Sequence, residues 1–403
     1  MTFHYDIIIV GSGIVGSVAA LALAKNSQLK IAILEAQKIS TAWRADEYDH
    51  RVSAISLASK RILQNISVWS DIQTKRLAPY MQMHVWDENG LGKIHFNCHD
   101  VNESALGYII EDSVMRTSLL QKIAETKSID FIHPIKLASL QKNPENMLLQ
   151  TQDGKIFSTK LLIAADGANS WVREHANMEL KSRDYEQTAI VATVRTTLSH
   201  QSTAWQRFLT TGPLAFLPLN DENACSIVWS VTHEYAEELL KLDDDIFSEK
   251  LTIASEKKLG EIISAGKRYH FPLRMRHAKN YVENRIVLIG DAAHTLHPLA
   301  GQGVNLGMLD AASLVEVVKT AIQKNRDFSS LSTLRQYERW RKSDNLAMLA
   351  MVDVLKKLFI HPNTVVKNVR NAGLNLVDRF DFMKNSLTNY ALGNRGDLPE
   401  LAR

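Results

Sequence analysis

The first 35 residues constrain this chain more than any other stretch. Tyr5 to Val10 is a mostly β-branched run, apolar from Ile7 onward, and Gly11-Ser12-Gly13-Ile14-Val15-Gly16 follows it. Ile14 to Lys25 continues with the small aliphatic residues of a buried helix, and Lys30 to Leu34 supplies a second strand ending at Glu35. Strand, glycine turn, helix and strand within about 30 residues make a βαβ unit of the size used to hold a dinucleotide. Gly11, Gly13 and Gly16 let a pyrophosphate approach backbone N–H groups at the positive end of a helix, and Glu35 is placed to accept from ribose hydroxyls. The plainer alternative is a glycine turn that only packs a helix on a strand. Taken alone, the motif separates neither FAD from NAD.

The same stretch carries 18 residues without a charge, Ile7 to Ala24, close to the length of a membrane span. Three glycines interrupt it, and Asp6 precedes it where a leader would carry a basic residue, so it divides into strand and helix. With no other candidate span, a cytoplasmic protein is expected, with a peripheral position on the inner membrane as a further expectation. The 47 basic and 44 acidic residues nearly balance and leave no nucleic-acid groove. Cys98 and Cys225 have neither CxxC nor Cys/His spacing, so neither a disulfide framework nor a metal site is expected.

Two further strand-turn elements follow, Lys160 to Ala165 with Asp166-Gly167, and Arg285 to Ile289 with Gly290-Asp291. An acid after a buried strand suits the ribityl or ribose hydroxyls of an extended flavin dinucleotide, for which an NAD enzyme has no need. Asp291 therefore points to FAD. The segment from Ala292 to Asn305 then runs into a helix expected from about Asn305. Gly301, Gln302 and Gly303 would present backbone N–H groups at its positive end, beside the N1 and O2 positions where a reduced flavin carries negative charge. Between these elements the pattern turns to alternating strands, Thr188 to Thr197 and a hairpin of Pro213 to Leu219 with Cys225 to Val231.

The expected fold is α/β plus β. A Rossmann-like dinucleotide domain is built from residues 1–75, 100–180 and 280–330, an antiparallel-sheet substrate domain from 76–99 and 181–279, and a helical region from 331–403.

His297-Pro298-Leu299-Ala300-Gly301-Gln302-Gly303-Val304-Asn305-Leu306-Gly307, followed by Asp310, resembles the hallmark segment of the ubiquinone-biosynthesis hydroxylases, a branch of the class A flavin monooxygenases. The resemblance extends over nearly the whole chain, through Asp49-His50-Arg51, Val114-Met115-Arg116, Asp166-Gly167-Ala168-Asn169-Ser170 and Gly396-Asp397-Leu398-Pro399. It implies a p-hydroxybenzoate-hydroxylase-like fold in which NAD(P)H reduces a non-covalent FAD and O2 is used to hydroxylate a phenolic ring. It also implies that Arg51 and Arg116 contact FAD, that Asp166 and Gly167 sit near the pyrophosphate and the nicotinamide path, and that Pro298, Gly301, Gly303, Val304 and Asn305 belong to the cofactor site. Pro298, Gly301, Gln302 and Gly303 are also candidate catalytic positions. His294 and His297, the titratable residues of this segment, are candidates to shuttle a phenol proton, or else histidines satisfied by backbone.

The resemblance implies a polyprenyl phenol or quinol as the substrate. Residues 331–403 hold 12 Lys/Arg against 7 Asp/Glu, and Leu346 to Phe359 is strongly apolar around Asp353 and Lys356-Lys357. That helix would meet a membrane surface or partners in a quinone-biosynthesis complex. In the plainer reading, Leu346, Leu349, Leu355 and Phe359 pack on the FAD domain. A hydroxylase of another aromatic ring, a flavin oxidase or reductase, and a flavin-bound assembly subunit are the competing functions.

Overall fold

The computed structural model describes residues 2–39, 43–88, 92–296, 301–360, 371, 380, 384–385, 387–389, 392–394 and 396–403. Five parallel strands run side by side in the order Ile286–Leu288, Ile156–Ala164, Thr2–Val10, Ile31–Leu34 and Ile129–Ile132. Ile7 lies opposite both Leu161 and Ile31, and Ile31 opposite Ile129. Successive residues of these strands are buried on both faces, so they read as unbroken apolar runs rather than alternating ones. Ile7, Ile8 and Ile9 are fully buried. The helix Ile14–Asn26 packs against Gly303–Gln323 and Asp112–Glu125. Leu137–Lys142 and Met147–Thr151 extend the sheet as an antiparallel hairpin.

A second sheet of nine strands is antiparallel except where Thr203–Leu209 runs parallel to Gln82–Asp87. Its backbone is Leu180–Thr196, paired with Ala224–Thr232 on one side and Tyr269–Ala278 on the other. The expected hairpin is present as Gly212–Pro218 with Ala224–Thr232. Leu180–Thr196 begins eight residues before the strand expected at Thr188. Its polar first half lacks alternation and is carried by pairing with Met275 to Ala278.

Two short strands cross the expected domain boundaries. Ala78–Tyr80 joins Val52–Ile55 and Gly107–Glu111 in a separate three-stranded sheet, and His294–Thr295 pairs with Arg276 and His277 at the edge of the nine-stranded one. This last pairing stitches the two large sheets together at the turn that carries Asp291.

The long helix Leu331–Ile360 packs its first half on the Gly303–Gln323 helix and the main core, through Leu334 and Tyr337, and its second half on the second sheet. Met348, Val352 and Phe359 are buried with Val85, Ile94 and Phe208, and the Phe208 and Phe359 rings stack at 3.7 Å. Leu349 is buried and Leu346 is exposed, while the Leu355 side chain lies outside the described residues. No helix among the described residues is long and apolar enough to cross a membrane.

Candidate flavin and substrate site

The Gly11–Gly16 turn is shaped by contacts that only glycine permits. Gly11 has φ +102°, and a Cβ there would stand 2.4 Å from the Ala165 carbonyl oxygen, while one on Gly16 would stand 2.1 Å from that of Gly11. A Cβ on Gly13 would meet no atom within 4 Å. Gly13 is the N-cap of the Ile14–Asn26 helix and no side chain caps it, so the helix's positive end opens outward. Glu35 is held beside the turn. Its Oε2 accepts from Ser12 N and Oγ, both at 2.9 Å, and its Oε1 from Gln37 N at 2.9 Å.

Two acids end the neighbouring parallel strands. After Ile156–Ala164, Asp166 Oδ2 accepts from Val172 N at 3.0 Å, while Oδ1 is buried without a hydrogen-bond partner. Burial raises the Asp166 carboxyl above the usual range against the pull of Ser170 and nearby backbone N–H groups. Gly167 beside it, at φ +80°, opens to space. After Ile286–Leu288 the chain turns through Gly290, φ +59°, to Asp291. Asp291 keeps solvent access, yet the protein packed around it raises its carboxyl, opposed by His294, Arg51 and Arg276.

The hallmark segment begins its helix at Gly303, two residues before the expected start. Asn305, which is buried, explains why. Its Oδ1 accepts from Ser56 N at 3.0 Å, and its Nδ2 donates to Ala54 O at 2.8 Å and Gly301 O at 3.3 Å, so the side chain lashes the end of Val52–Ile55 to the first helical turn. Gly301 has φ +58° and faces Ala54, whereas a Cβ on Gly303 would meet nothing within 4 Å. Gln302 is the N-cap and no side chain caps the helix, while Val304 packs against the main core. His297, Pro298, Leu299 and Ala300 lie outside the described residues.

Arg51 is exposed and approaches Asp112 Oδ2 at 3.5 Å, and Arg116 is exposed one turn along the Asp112–Glu125 helix. Burial raises the Asp112 carboxyl, and both arginines oppose that shift. Asp49 braces this corner, its Oδ1 accepting from Arg51 N at 3.1 Å and its Oδ2 from Ser113 N at 2.9 Å. His50 stacks on Tyr269 of the nine-stranded sheet, with ring centroids 4.1 Å apart.

His294 points away from solvent. Only 1% exposed, it sets Nε2 2.5 Å from Asp310 Oδ2. Asp310 is wholly buried and also accepts from Gly290 N, Arg341 Nε and Asn345 Nδ2. Burial would push its carboxyl up, but His294 and Arg341, through charge and hydrogen bonds, hold it below the usual carboxylate range. The Asp310 carboxylate therefore accepts and His294 Nε2 donates. In the sequence Asp310 only closes the hallmark segment, with no expected role, and neither Arg341 nor Asn345 stands out. One signal was available: a lone acid among Leu306, Met308, Leu309, Ala311 and Ala312 requires partners when its helix is buried. Arg276 was missed as well. It donates from Nη1 to Ala168 O and Asn169 Oδ1, both at 2.8 Å, and so holds the Asp166-Gly167 loop to the second sheet.

Two helix N-termini left open at glycine, the carboxylate of Glu35 beside the first turn, and the acid turns at Asp166 and Asp291 are a donor and acceptor set that fits a flavin dinucleotide. This is the cofactor-binding domain of an FAD-dependent oxidoreductase with a sheet domain beside it. The family model of the FAD binding domain matches residues 4–348. The ubiquinone biosynthesis monooxygenase COQ6 of Dictyostelium discoideum is 32% identical, across 96% of this chain and 91% of its own. The ubiquinone hydroxylase UbiL of Rhodospirillum rubrum is also 32% identical, across 99% and 92%. Among solved structures, p-nitrophenol 4-monooxygenase PnpA from Pseudomonas putida matches with a TM-score of 0.78 at 16% identity, over 98% of this chain and 99% of its own, which shows the fold. The chain belongs to the ubiquinone-biosynthesis monooxygenase family of FAD-dependent hydroxylases.

Proposed function

We propose that this protein uses NAD(P)H and O2 to hydroxylate the ring of a polyprenyl phenol or benzoquinol in ubiquinone biosynthesis. One observation carries the substrate class. Leu296, just before the hallmark segment, and Leu306, within its helical part, both pack into an apolar cluster with Val85, Ile94 and Phe208 of the nine-stranded sheet and Met348, Met351 and Val352 of the long helix. A ring entering beside these residues meets aliphatic and thioether surface, which suits a prenylated phenol better than a small soluble one.

FAD, when bound, supplies the chemistry of accepting electrons from NAD(P)H and activating O2. The chain supplies placement and electrostatics. Gly13 admits the pyrophosphate to the first helix N-terminus, and Glu35 accepts from ribose. Asp291 accepts from the sugar-chain hydroxyls, and Arg51 and Arg116 offer fixed cationic donors to phosphate. The Gly303 helix would offer its positive end to the negative charge of a reduced flavin, and the apolar cluster would exclude water from the ring. We assign His294 to holding the Gly290–Asp291 turn rather than to moving a substrate proton.

The outward face of the long helix, with Leu346, Ala347, Ala350 and Val354 exposed, supports a peripheral position on a membrane that holds such a substrate. The test of the function is product analysis with purified protein, FAD and NAD(P)H. Oxygenated product is expected from a prenylated phenol and far less from its unprenylated analogue. Equal turnover of both would favour a hydroxylase of small aromatic rings, and NAD(P)H oxidation without any oxygenated product would favour an oxidase.

A further inference from the structure

We propose that Asp310 is a positioning residue for the cofactor: through Gly290 and His294 it fixes the turn that presents Asp291, and it ties that turn to the long C-terminal helix. The carboxylate is 0% exposed and has four donors from three separate elements. Oδ2 takes the Gly290 N–H at 3.1 Å and His294 Nε2 at 2.5 Å. Oδ1 takes Arg341 Nε at 2.9 Å and Asn345 Nδ2 at 3.1 Å. A carboxylate stripped of water is tolerated only when its lone pairs are met, so all four donors are held wherever the carboxylate sits.

The geometry on the other side of the turn makes this matter for ligand binding. Gly290 adopts φ +59°, a region open to a glycine that has many other conformations available. Its N–H on Asp310 selects one of them, and the Ala293 N–H closes the turn onto Gly290 O at 2.8 Å. Asp291, the next residue, is thereby directed outward while its neighbours Gly290 and Ala292 stay buried. On the far side, Arg341 also donates to Asp344 Oδ2 at 2.9 Å and Asn345 Oδ1 at 3.1 Å, so it cannot shift without breaking its own helix's contacts. Asn345 reaches Tyr281 Oη at 3.4 Å, and Tyr281 meets His277 Nε2 at 3.1 Å, which carries the network to the seam between the sheets. The side chains are thus arranged to hold one turn, and that turn is the one placed against the flavin hydroxyls. The inference rests on that placement of FAD.

The test uses the purified full chain with and without FAD, and the variants Asp310→Asn, His294→Ala and His294→Gln. Measurements are the FAD dissociation constant, the visible circular dichroism of bound flavin and the thermal midpoint of the apoprotein. Asp310→Asn and His294→Ala are expected to weaken FAD binding about tenfold or more, the order typical when outer partners of metal ligands are removed, and to alter the flavin dichroism. His294→Gln, which keeps a side-chain N–H donor, is expected to recover most of both. Should Asp310→Asn fail to fold with Arg341 left unpaired, the two His294 variants decide the matter. A lower apoprotein midpoint with wild-type FAD affinity and dichroism would reduce the network to a structural role and overturn the proposal. Asp291→Ala distinguishes the two levels. If it weakens FAD binding while the His294 and Asp310 variants do not, the positioning role alone is wrong. If it leaves FAD affinity unchanged, the flavin does not lie on this turn and both ideas fall.

Discussion

The Gly11–Gly16 turn and the Gly301–Gly307 segment each open a helix of the same domain, and each contains glycines of two kinds. At Gly11, Gly16 and Gly307 the fold itself forbids a side chain, because a Cβ would stand 2.4 Å from Ala165 O, 2.1 Å from Gly11 O and 2.5 Å from Val15 Cγ2. At Gly13 and Gly303 it would touch nothing within 4 Å. The first kind seats helix on strand and helix on helix. The second leaves a helix N-terminus accessible, and only a ligand gives that openness a purpose. The plain packing reading of the motif therefore holds at Gly11, Gly16 and Gly307, while Gly13 and Gly303 are the positions that the proposed FAD placement uses.

The largest expected effect breaks the closed kind. Gly16→Ala forces a methyl against a backbone carbonyl that cannot rotate away, at the upper end of over-packing costs, about 3 kcal/mol or more. Against a typical stability of roughly 5–15 kcal/mol, the apoprotein's thermal midpoint should drop by many degrees or the chain should fail to accumulate in soluble form. A midpoint equal to wild type would mean the turn is looser than it looks. Gly303→Val probes the open kind and should leave the apoprotein midpoint nearly unchanged. With FAD at saturation it should still cut product formation on the order of a hundredfold, since the isopropyl group holds the flavin off the backbone N–H groups, and forfeiting one well-aimed donor in a dry site costs roughly 2.7–4 kcal/mol. Normal hydroxylation by this variant would reduce Gly303 to a simple helix start.

Much of this was legible in the sequence because local and global demands coincide there. The parallel strands are short apolar runs with glycine turns, and the hairpin at Gly212–Pro218 and Ala224–Thr232 announces itself by alternation around Asn220 to Asn223. What escaped depends on contacts distant in sequence. The two-residue strand His294–Thr295 exists only because Arg276 and His277 pair with it. Arg341 and Asn345 look like ordinary helix-surface residues until Asp310, more than 30 positions earlier, is seen against them. The apolar face of the long helix was visible as a pattern, but periodicity states that a face is buried and not against what. Here the cover is the Gly303–Gln323 helix and the main core for the first half and the second sheet for Met348, Val352 and Phe359.

Asn305 sharpens the comparison between closed and open positions, because it stands beside open Gly303 yet spends its amide on the fold. Asn305→Ala leaves Ser56 N and Ala54 O without their side-chain partner. Each unsatisfied buried group costs about 1–3 kcal/mol, so chemical denaturation of the apoprotein should show a loss of that order, which Gly303→Val does not share. If Asn305→Ala weakened FAD binding with no loss of apoprotein stability, its amide would belong to the ligand instead.

The smallest effect is a pH signature of the closed side of the seam. His277 pairs with His294 between the two sheets, and burial, with His294, Lys342 and Lys181 nearby, lowers its pKa to about 4 from an ordinary value of 6.5. Between those two values the unfolded chain takes up a proton that the folded chain refuses, so stability is full above about pH 6.5 and is lost progressively as pH falls toward 4. The loss should be on the order of 1–3 kcal/mol, reduced from the full shift because the imidazole is not entirely desolvated. Asp310 does not confuse this window, because its carboxyl lies below the usual range and its contribution fails only at still lower pH. Denaturant midpoints measured from pH 7 to 4.5 should therefore fall in the wild type and fall less in His277→Gln, which carries no proton to gain. Parallel curves for the two proteins would place the acid sensitivity elsewhere and show that water reaches this side of the seam as readily as it reaches Gly13 and Gly303.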